Sequence, residues 1–567
     1  MRGRGRTRAG IAVSLLVTGL VLVLAAAGSE SWAARPVPAS RVPVSAPTDP
    51  AGARQAALVD ALDVRLRAVV RDVPWRAGPY LDRRHGDPVL VLPPRPGGYR
   101  LDDLVRGGAA RRTAPAVVTV TADVLVVPGA ALELAAPGTE IRLAGGGPRT
   151  ITAWRADLRL RGERGRPVRV TSRDDRTGLL DRDPTDGRAH LRVLDGRLDV
   201  RDAELAGLGF WSGRTGGLAV TGSAGEPATA TVVRTTVGDG WYGLYADDSA
   251  VTVEDSRIVR AAVDGIRLHR GVRGAVLRRV AVTGATGAGV AVGRGAADVT
   301  LSGVDTAGGA VGLLVDGGPL AAGPGPGGEP TGAFTGFVVD RFSSRGARDA
   351  GIVVDGAARV SVTGADVTRS REGVVVRGGA RDVRIADVTV QAAGDSGVAV
   401  RDGATGVVVT GSRVDGATTG VAVRDGAAVV EGTVVRDAGR HGISFVGAVA
   451  GSAVRGGAVS GSGPSAVDTV RVAPGTAVEV VDTDVAGWDV RRDPAVVIEE
   501  TVGRPLLVLW VAIALVTLLA VWVQRRHRHD RPRSPYPGRD GHGRRGVPVR
   551  MAVRHPSGPR LTVVDRS

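Results

Sequence analysis

An all-β fold, a right-handed parallel β-helix solenoid, is the class this sequence predicts, and three observations predict it. The phrase glycine, apolar, any, apolar recurs from Gly243-Leu244-Tyr245-Ala246-Asp247 to Gly442-Ile443-Ser444-Phe445-Val446, with glycines at 243, 265, 289, 312, 351, 373, 397, 420 and 442. Its period of 22 to 24 residues, broken by one step of 39, marks stacked units that bury an apolar face only against their neighbours. A second apolar alternation follows most of the glycines, as in Val251-Thr252-Val253 and Val407-Val408-Val409, so each period is expected to hold two short strands. The segments are also valine-rich and lack the leucine ladder or helical spacing that other repeats of this length require. Right-handedness follows from the general rule for parallel crossovers.

Composition narrows the chemistry. Aromatic residues make up 3% of the 567-residue chain, so valine, leucine and alanine must fill the interior. The absence of cysteine excludes disulfides, thiolate metal sites and cysteine nucleophiles, and the absence of lysine removes that residue as a catalytic base. The formal charge of +16 sits at the ends of the chain. Twelve arginines stand against three aspartates in residues 524–567, and Arg2, Arg4, Arg6 and Arg8 open the sequence, which leaves about +3 for the body. A nucleic-acid partner is therefore not expected. No cofactor or metal is expected either, since the glycine-rich turns lack the aspartate repeats of calcium-binding nonapeptides.

Taken in order, residues 1–34 read as a signal peptide, with Arg2 to Arg8, the apolar run Ile11 to Ala27 and the small-residue site Ser31-Trp32-Ala33. Residues 35–49 are a Pro-rich linker. Leu58, Leu62, Leu66 and Val69 recur at helical spacing, so Pro50 to Asp72 is expected to be an amphipathic helix, as a cap on the solenoid's open end or a stalk. Residues 50–116 form the N-terminal cap, with 73–113 irregular. The β-helix is expected over 117–498, with a protruding loop at 174–188 and a Pro-rich insertion at 317–332. A linker, 499–505, leads to the apolar run Leu506 to Val523, long enough for a transmembrane helix and flanked at once by Arg525, Arg526 and Arg528. That charge places the tail, 524–567, in the cytoplasm as a disordered basic segment and the solenoid outside a cell membrane crossed once.

Stacking the phrases sets outward positions in columns. Tyr245 then lies beside Arg267, and Asp247 beside His269, a polar quartet framed by Ala219, Thr221, Ala291 and Gly293. Trp241 and Tyr242, just ahead, would offer an aromatic platform to a sugar ring. Farther along, Asp316, Asp355, Arg377, Arg401 and Arg424 read as a charged, soluble sheet face. The companion column, Leu314, Val353, Val375, Ala399 and Ala422, is apolar although outward, either covered by the 317–332 insertion or an interaction stripe.

At Asp239-Gly-Trp-Tyr-Gly-Leu-Tyr-Ala-Asp-Asp-Ser249, and in the rhythm of Glu254-Asp-Ser and Asp264-Gly-Ile, the chain resembles the mannuronan C5-epimerases, whose signature is Tyr-Gly-Phe-Asp-Pro-His-Asp/Glu. Tyr242, Gly243 and Asp248 match it. The family's Asp falls on Tyr245, its Pro on Ala246 and its catalytic His on Asp247, and its lysine has no counterpart. Its Arg-His-Gly is replaced by Gly287-Ala288-Gly289, while an Arg440-His441-Gly442 occurs roughly 40 Å away. The resemblance implies a β-helix enzyme that removes and returns the proton alpha to a uronate carboxylate, which needs a cation, a base and an opposed proton donor.

The reading preferred here is a membrane-anchored extracellular module that binds or guides a cell-surface polysaccharide during assembly, with Trp241, Tyr242, Tyr245 and Asp248 on the sugar and a polysaccharide synthase as a candidate partner. The alternative is a polyuronate C5-epimerase or lyase, with Arg267 on the carboxylate, His269 as base, Tyr242 as donor and Asp247 beside the base. A structural stalk or adhesin is the second alternative.

Overall fold

The computed structural model describes residues 50–72, 78–144, 147–223, 225–318, 334–491 and 513–522. The expected signal peptide and Pro-rich linker lie outside the described residues, as do most of the 317–332 insertion, the 499–505 linker and the basic tail. Two compact units divide the chain, Met1–Val497 and Ile498–Ser567, and the solenoid belongs to the first.

Three parallel sheets run along the solenoid. Among the described residues sheet A holds 16 strands, sheet B 15 and sheet C 16, and each coil adds one strand to each. The expectation of two strands per period is thus corrected to three. Sheet C is made of three-residue strands in the middle coils, such as Arg257–Val259 and Ala281–Thr283, too short to display an alternation. Stacking is in register along sheet A, with Val290 on Leu313 and Leu313 on Ile352, and these inward columns join those of sheets B and C in one continuous apolar core.

Gly351 shows why the phrase opens on glycine. Ala350 before it packs on the outside of sheet A and Ile352 after it packs in the core, so Gly351 marks the place where the strand turns inward. A Cβ at this position would stand 2.2 Å from Cγ1 of Val367 on the adjoining sheet C strand. In a close-packed interior there is no room for it.

At the N-terminal end pairing turns antiparallel. Tyr80–Asp82 pairs with Val89–Leu92, and Ala110–Ala114 pairs with Val117–Val120. The segment expected to be irregular therefore supplies opening strands to all three sheets. Its outward side chains hide the pattern, since in Ala110–Ala114 only the first residue is buried. Antiparallel pairing blunts an edge that would otherwise template further strands.

The helix Pro50–Asp72 lies against the outer face of sheet A. Leu62, Leu66 and Val69 pack on Val89, Val91, Leu125 and Val127. Asp63 accepts hydrogen bonds from Arg192 Nη1 at 2.8 Å and Arg214 Nη1 at 2.6 Å. The helix thus covers the flank of the early coils.

In the second unit, residues 513–522 are helical with exposed apolar side chains, Leu515 and Leu518 among them. Among the described residues no helix is long and apolar enough to cross a membrane. The remainder of the expected 506–523 span lies outside the described residues.

Candidate functional site

The register brings the expected residues together on the outer face of sheet A. Tyr245 pairs with Arg267, with Ala219 on the coil before and Ala291 on the coil after. The N–H of His269 donates to the carbonyl of Ala246 at 2.7 Å, which sets its ring beside Asp247. Nδ1 of His269 is 3.5 Å from Oδ1 of Asp247, and Nε of Arg270 is 3.4 Å from the same oxygen. Arg270 also lies 3.9 Å from Asp248, whose carboxyl is pushed up by burial and by Asp247.

The quartet is not an open floor. His269 keeps 31% of its side chain exposed at the edge between sheets A and B, but Tyr245 and Arg267 are buried. Their cover is the glycine-rich stretch 207–217, which links sheets C and A and folds over the outer face. Gly213 lies on the ring of Tyr245 and Gly216 on that of Tyr242, so closely that a Cβ would fall 2.2 Å and 2.6 Å from ring carbons. Arg188 ties this stretch down, donating to the carbonyls of Gly209 at 2.7 Å and Asp239 at 2.8 Å. Arg214 clamps it to Asp63 on the N-terminal helix. The expectation that 174–188 protrudes is corrected at its end, where Arg188 is buried as this anchor.

The aromatic residues form a chain running inward. The ring of His269 is 5.8 Å from that of Tyr245, tilted by 31°, and Tyr245 is 5.5 Å from Tyr242, tilted by 52°. Tyr245 therefore stands between His269 and Tyr242. Tyr242 is itself buried, and burial together with Asp264 pushes its phenol well above the ordinary range; burial and Asp247 do the same to Tyr245. Trp241 is half-buried at the opposite edge of the sheet, and its Nε1 finds no hydrogen-bond partner.

Asp264 completes the cluster from the coil after Tyr242. Its carboxylate is fully buried, with Oδ1 accepting from the N–H of Ala288 at 2.8 Å and Oδ2 lying 3.5 Å from Nε of Arg267. Burial pushes the Asp264 carboxyl up, against the pull of Arg267. Burial also opposes the charge on Arg267, yet Asp264 and the neighbouring Tyr242 hold its guanidinium above the ordinary value. Nη1 of Arg267 is buried without a hydrogen-bond partner. Among the described residues no group of three or more His, Asp or Glu side chains is arranged to hold a metal.

No family model matches this chain, and no curated protein matches it. Solved structures similar to it include the periplasmic alginate epimerase AlgG, at 12% identity over 72% of this chain and 86% of that one, with a TM-score of 0.36. They also include the catalytic unit of a thermostable α-1,3-glucanase from Streptomyces thermodiastaticus, at 15% identity over 71% of each chain and a TM-score of 0.34. The A-module of a mannuronan C-5 epimerase from Azotobacter vinelandii gives 14% identity over 66% of this chain and 91% of that one, with a TM-score of 0.24. At such identities and TM-scores the likeness carries nothing about activity or substrate.

Beyond the quartet, the charged column runs on in register through Gly293, Asp316, Asp355 and Arg377, then Arg401 and Arg424. Arg377 binds Asp355 at 2.8 Å, and Arg401 makes two bonds to the buried Glu372, at 2.6 Å and 3.2 Å. In the companion column Leu314, Val353, Val375 and Ala399 are buried and pack with Ala288, Val311 and Ala350.

Sequence reasoning gave Asp264 no role beyond its place in the epimerase-like rhythm and passed over Arg188 and Asp63, and with them the cover over the tyrosines. A signal for the cover exists. Gly207, Gly209, Gly213, Gly216 and Gly217 crowd one interval between coils, where a tight turn needs no such run.

Proposed function

We propose that this protein binds a polysaccharide along the outer edge of sheet A and neither epimerises nor eliminates it there. The observation that carries this reading is the position of Tyr245 between His269 and Tyr242. Epimerisation or elimination needs a base and a proton donor within hydrogen-bond reach of one sugar carbon. Here the ring of Tyr245 fills the space between the two, and Arg267, the cation for the carboxylate, is buried against Asp264.

The points of this edge that solvent reaches best, His269 and Arg424, support binding. The column from Asp247 through His269 and Asp316 to Arg424 extends roughly 34 Å at about 4.8 Å per coil. A linear polymer with a short repeat matches a linear surface with a short repeat. Asp247 and His269 would meet hydroxyls and the exposed Arg424 a uronate carboxylate, whereas Arg377 and Arg401 are held by Asp355 and Glu372. The finer setting belongs to the same reading. A cleaved leader and a span at Leu506 to Val523 would hold the solenoid outside the cell membrane, beside a polysaccharide synthase.

Titration of the full chain with a panel of polyuronates and neutral glycans tests the reading. His269→Ala and Arg424→Ala are each expected to weaken binding about tenfold, the scale of one or two lost polar contacts. Binding by no glycan, or binding indifferent to both changes, would remove its support.

A further inference from the structure

The last two coils of sheet A carry a serine, a histidine and an aspartate that the function above does not use. His441 and Ser465 are register partners, and so are Ser444 and Asp468, so four outward side chains of adjacent coils meet on one patch. Oγ of Ser465 is 3.0 Å from Nδ1 of His441. Nε2 of the same ring is 3.9 Å from Oδ2 of Asp468. The imidazole therefore stands between a hydroxyl on one nitrogen and a carboxylate on the other.

The surroundings fix the roles. Asp468 is buried, accepts from Ser444 Oγ at 3.2 Å, from the N–H of Val470 at 3.2 Å and from Arg471 at 3.0 Å. Against its burial, Arg471 and the Val470 N–H hold this carboxyl below its ordinary value, so it is ionised and sets a negative charge 3.9 Å from Nε2 of His441. In the tautomer that places the proton on Nε2, toward that charge, Nδ1 is the base facing Ser465 Oγ. Burial depresses the His441 imidazole, which keeps it neutral at physiological pH. Ser444 is committed to the carboxylate, whereas Ser465 is only half-buried. The strand pairing is irregular between Ser444 and Val446, the kind of local break that re-aims side chains at sites.

We propose that Ser465, His441 and Asp468 form a nucleophilic site for carboxylic esters, the class that includes O-acyl substituents on sugars. Oγ of Ser465 bonds to the acyl carbon as its proton passes to Nδ1 of His441. The bond from that carbon to the alkoxy oxygen breaks, and the imidazolium gives its proton to the departing alcohol. Water then attacks the acyl-serine, its proton passing to Nδ1 and on to Ser465 Oγ, and the carboxylic acid leaves. Asp468 is a positioning residue, and the Arg471 guanidinium beside it supplies positive charge at the same end of the sheet.

The test uses the full chain and two probes that need no glycan, so it stands or falls apart from the polysaccharide reading. A fluorophosphonate is expected to label the wild type at Ser465, located by mass spectrometry, and p-nitrophenyl acetate is expected to be hydrolysed with an acyl-enzyme burst. Ser465→Ala and His441→Ala, shown folded by circular dichroism, are each expected to lose labelling and at least roughly 100-fold in rate. Asp468→Asn is expected to lower the rate and move the acid limb of the pH profile to lower pH, because Asp468 raises the His441 value while Arg440 and Arg471 lower it. Loss of packing alone would not move that limb. A wild type that neither labels nor hydrolyses ester above background, or labelling that survives Ser465→Ala, would overturn the proposal.

Discussion

Asp264 and Arg267 meet 3.5 Å apart in the coil next to Tyr242 and Tyr245, the carboxylate wholly buried and the guanidinium nearly so. An ion pair in such a place is poorly reached by a substrate, and its energetics are those of a core contact. Desolvation of the two charges offsets much of their attraction, but removing one partner strands the other.

Arg267→Ala is therefore expected to cost about 3–5 kcal/mol in denaturant unfolding. The double change Asp264→Asn with Arg267→Leu should recover most of that loss, because no uncompensated charge remains. Equal losses in the single and double variants would contradict a structural pair.

Gly351→Ala should destabilise the solenoid by about 1–3 kcal/mol, since its Cβ would sit 2.2 Å from Val367 and the coil must open to accept it. Gly394→Ala, where the closest atom is 3.8 Å away, should change stability by less than about 0.5 kcal/mol. Thermal unfolding of the two variants side by side separates steric need from general glycine loss.

His190 gives the fold an acid-sensitive point. It is fully buried, edge-on to Phe210 with ring centroids 6.0 Å apart, and burial followed by the charge on Arg192 pushes its imidazole down to about 3. The unfolded chain takes up a proton here below pH ~6.5 and the folded chain does not, so stability is lost as pH falls from there toward 3. The loss reaches about 3 kcal/mol by pH 4. In His190→Leu the gap in unfolding free energy between pH 7 and pH 4 should shrink by about that amount, and an unchanged gap would contradict the assignment.

The parts of this molecule that sequence conveys are those with a local cause. Leu244, Ile266 and Val290 alternate with outward residues, and each glycine is demanded by the neighbouring sheet C strand of its own coil, so the solenoid and its sheet A columns can be read directly. A three-residue strand such as Arg257–Val259 has no period to read. The fate of Tyr245 was hidden for a different reason. That it points outward follows from the phrase, but its cover comes from Gly213, held by Arg188 and by the contact of Arg214 with Asp63 on a helix far back in the chain. Such a contact leaves no trace in the spacing of the phrase itself. The seat of the helix Pro50–Asp72 was hidden likewise, since its apolar stripe shows that it is buried and not which face it covers.

The central claim, binding without proton abstraction at C5, is tested most directly by proton NMR of polymannuronate and other polyuronates incubated with the full chain in heavy water. The account predicts saturation transfer from protein to glycan with the C5 proton signal undiminished, because Tyr245 keeps base and donor from sharing one sugar. Loss of the C5 signal through deuterium uptake would contradict it by showing proton abstraction alpha to the carboxylate. Absence of transfer to every glycan would contradict it by showing that the edge of sheet A holds no polysaccharide.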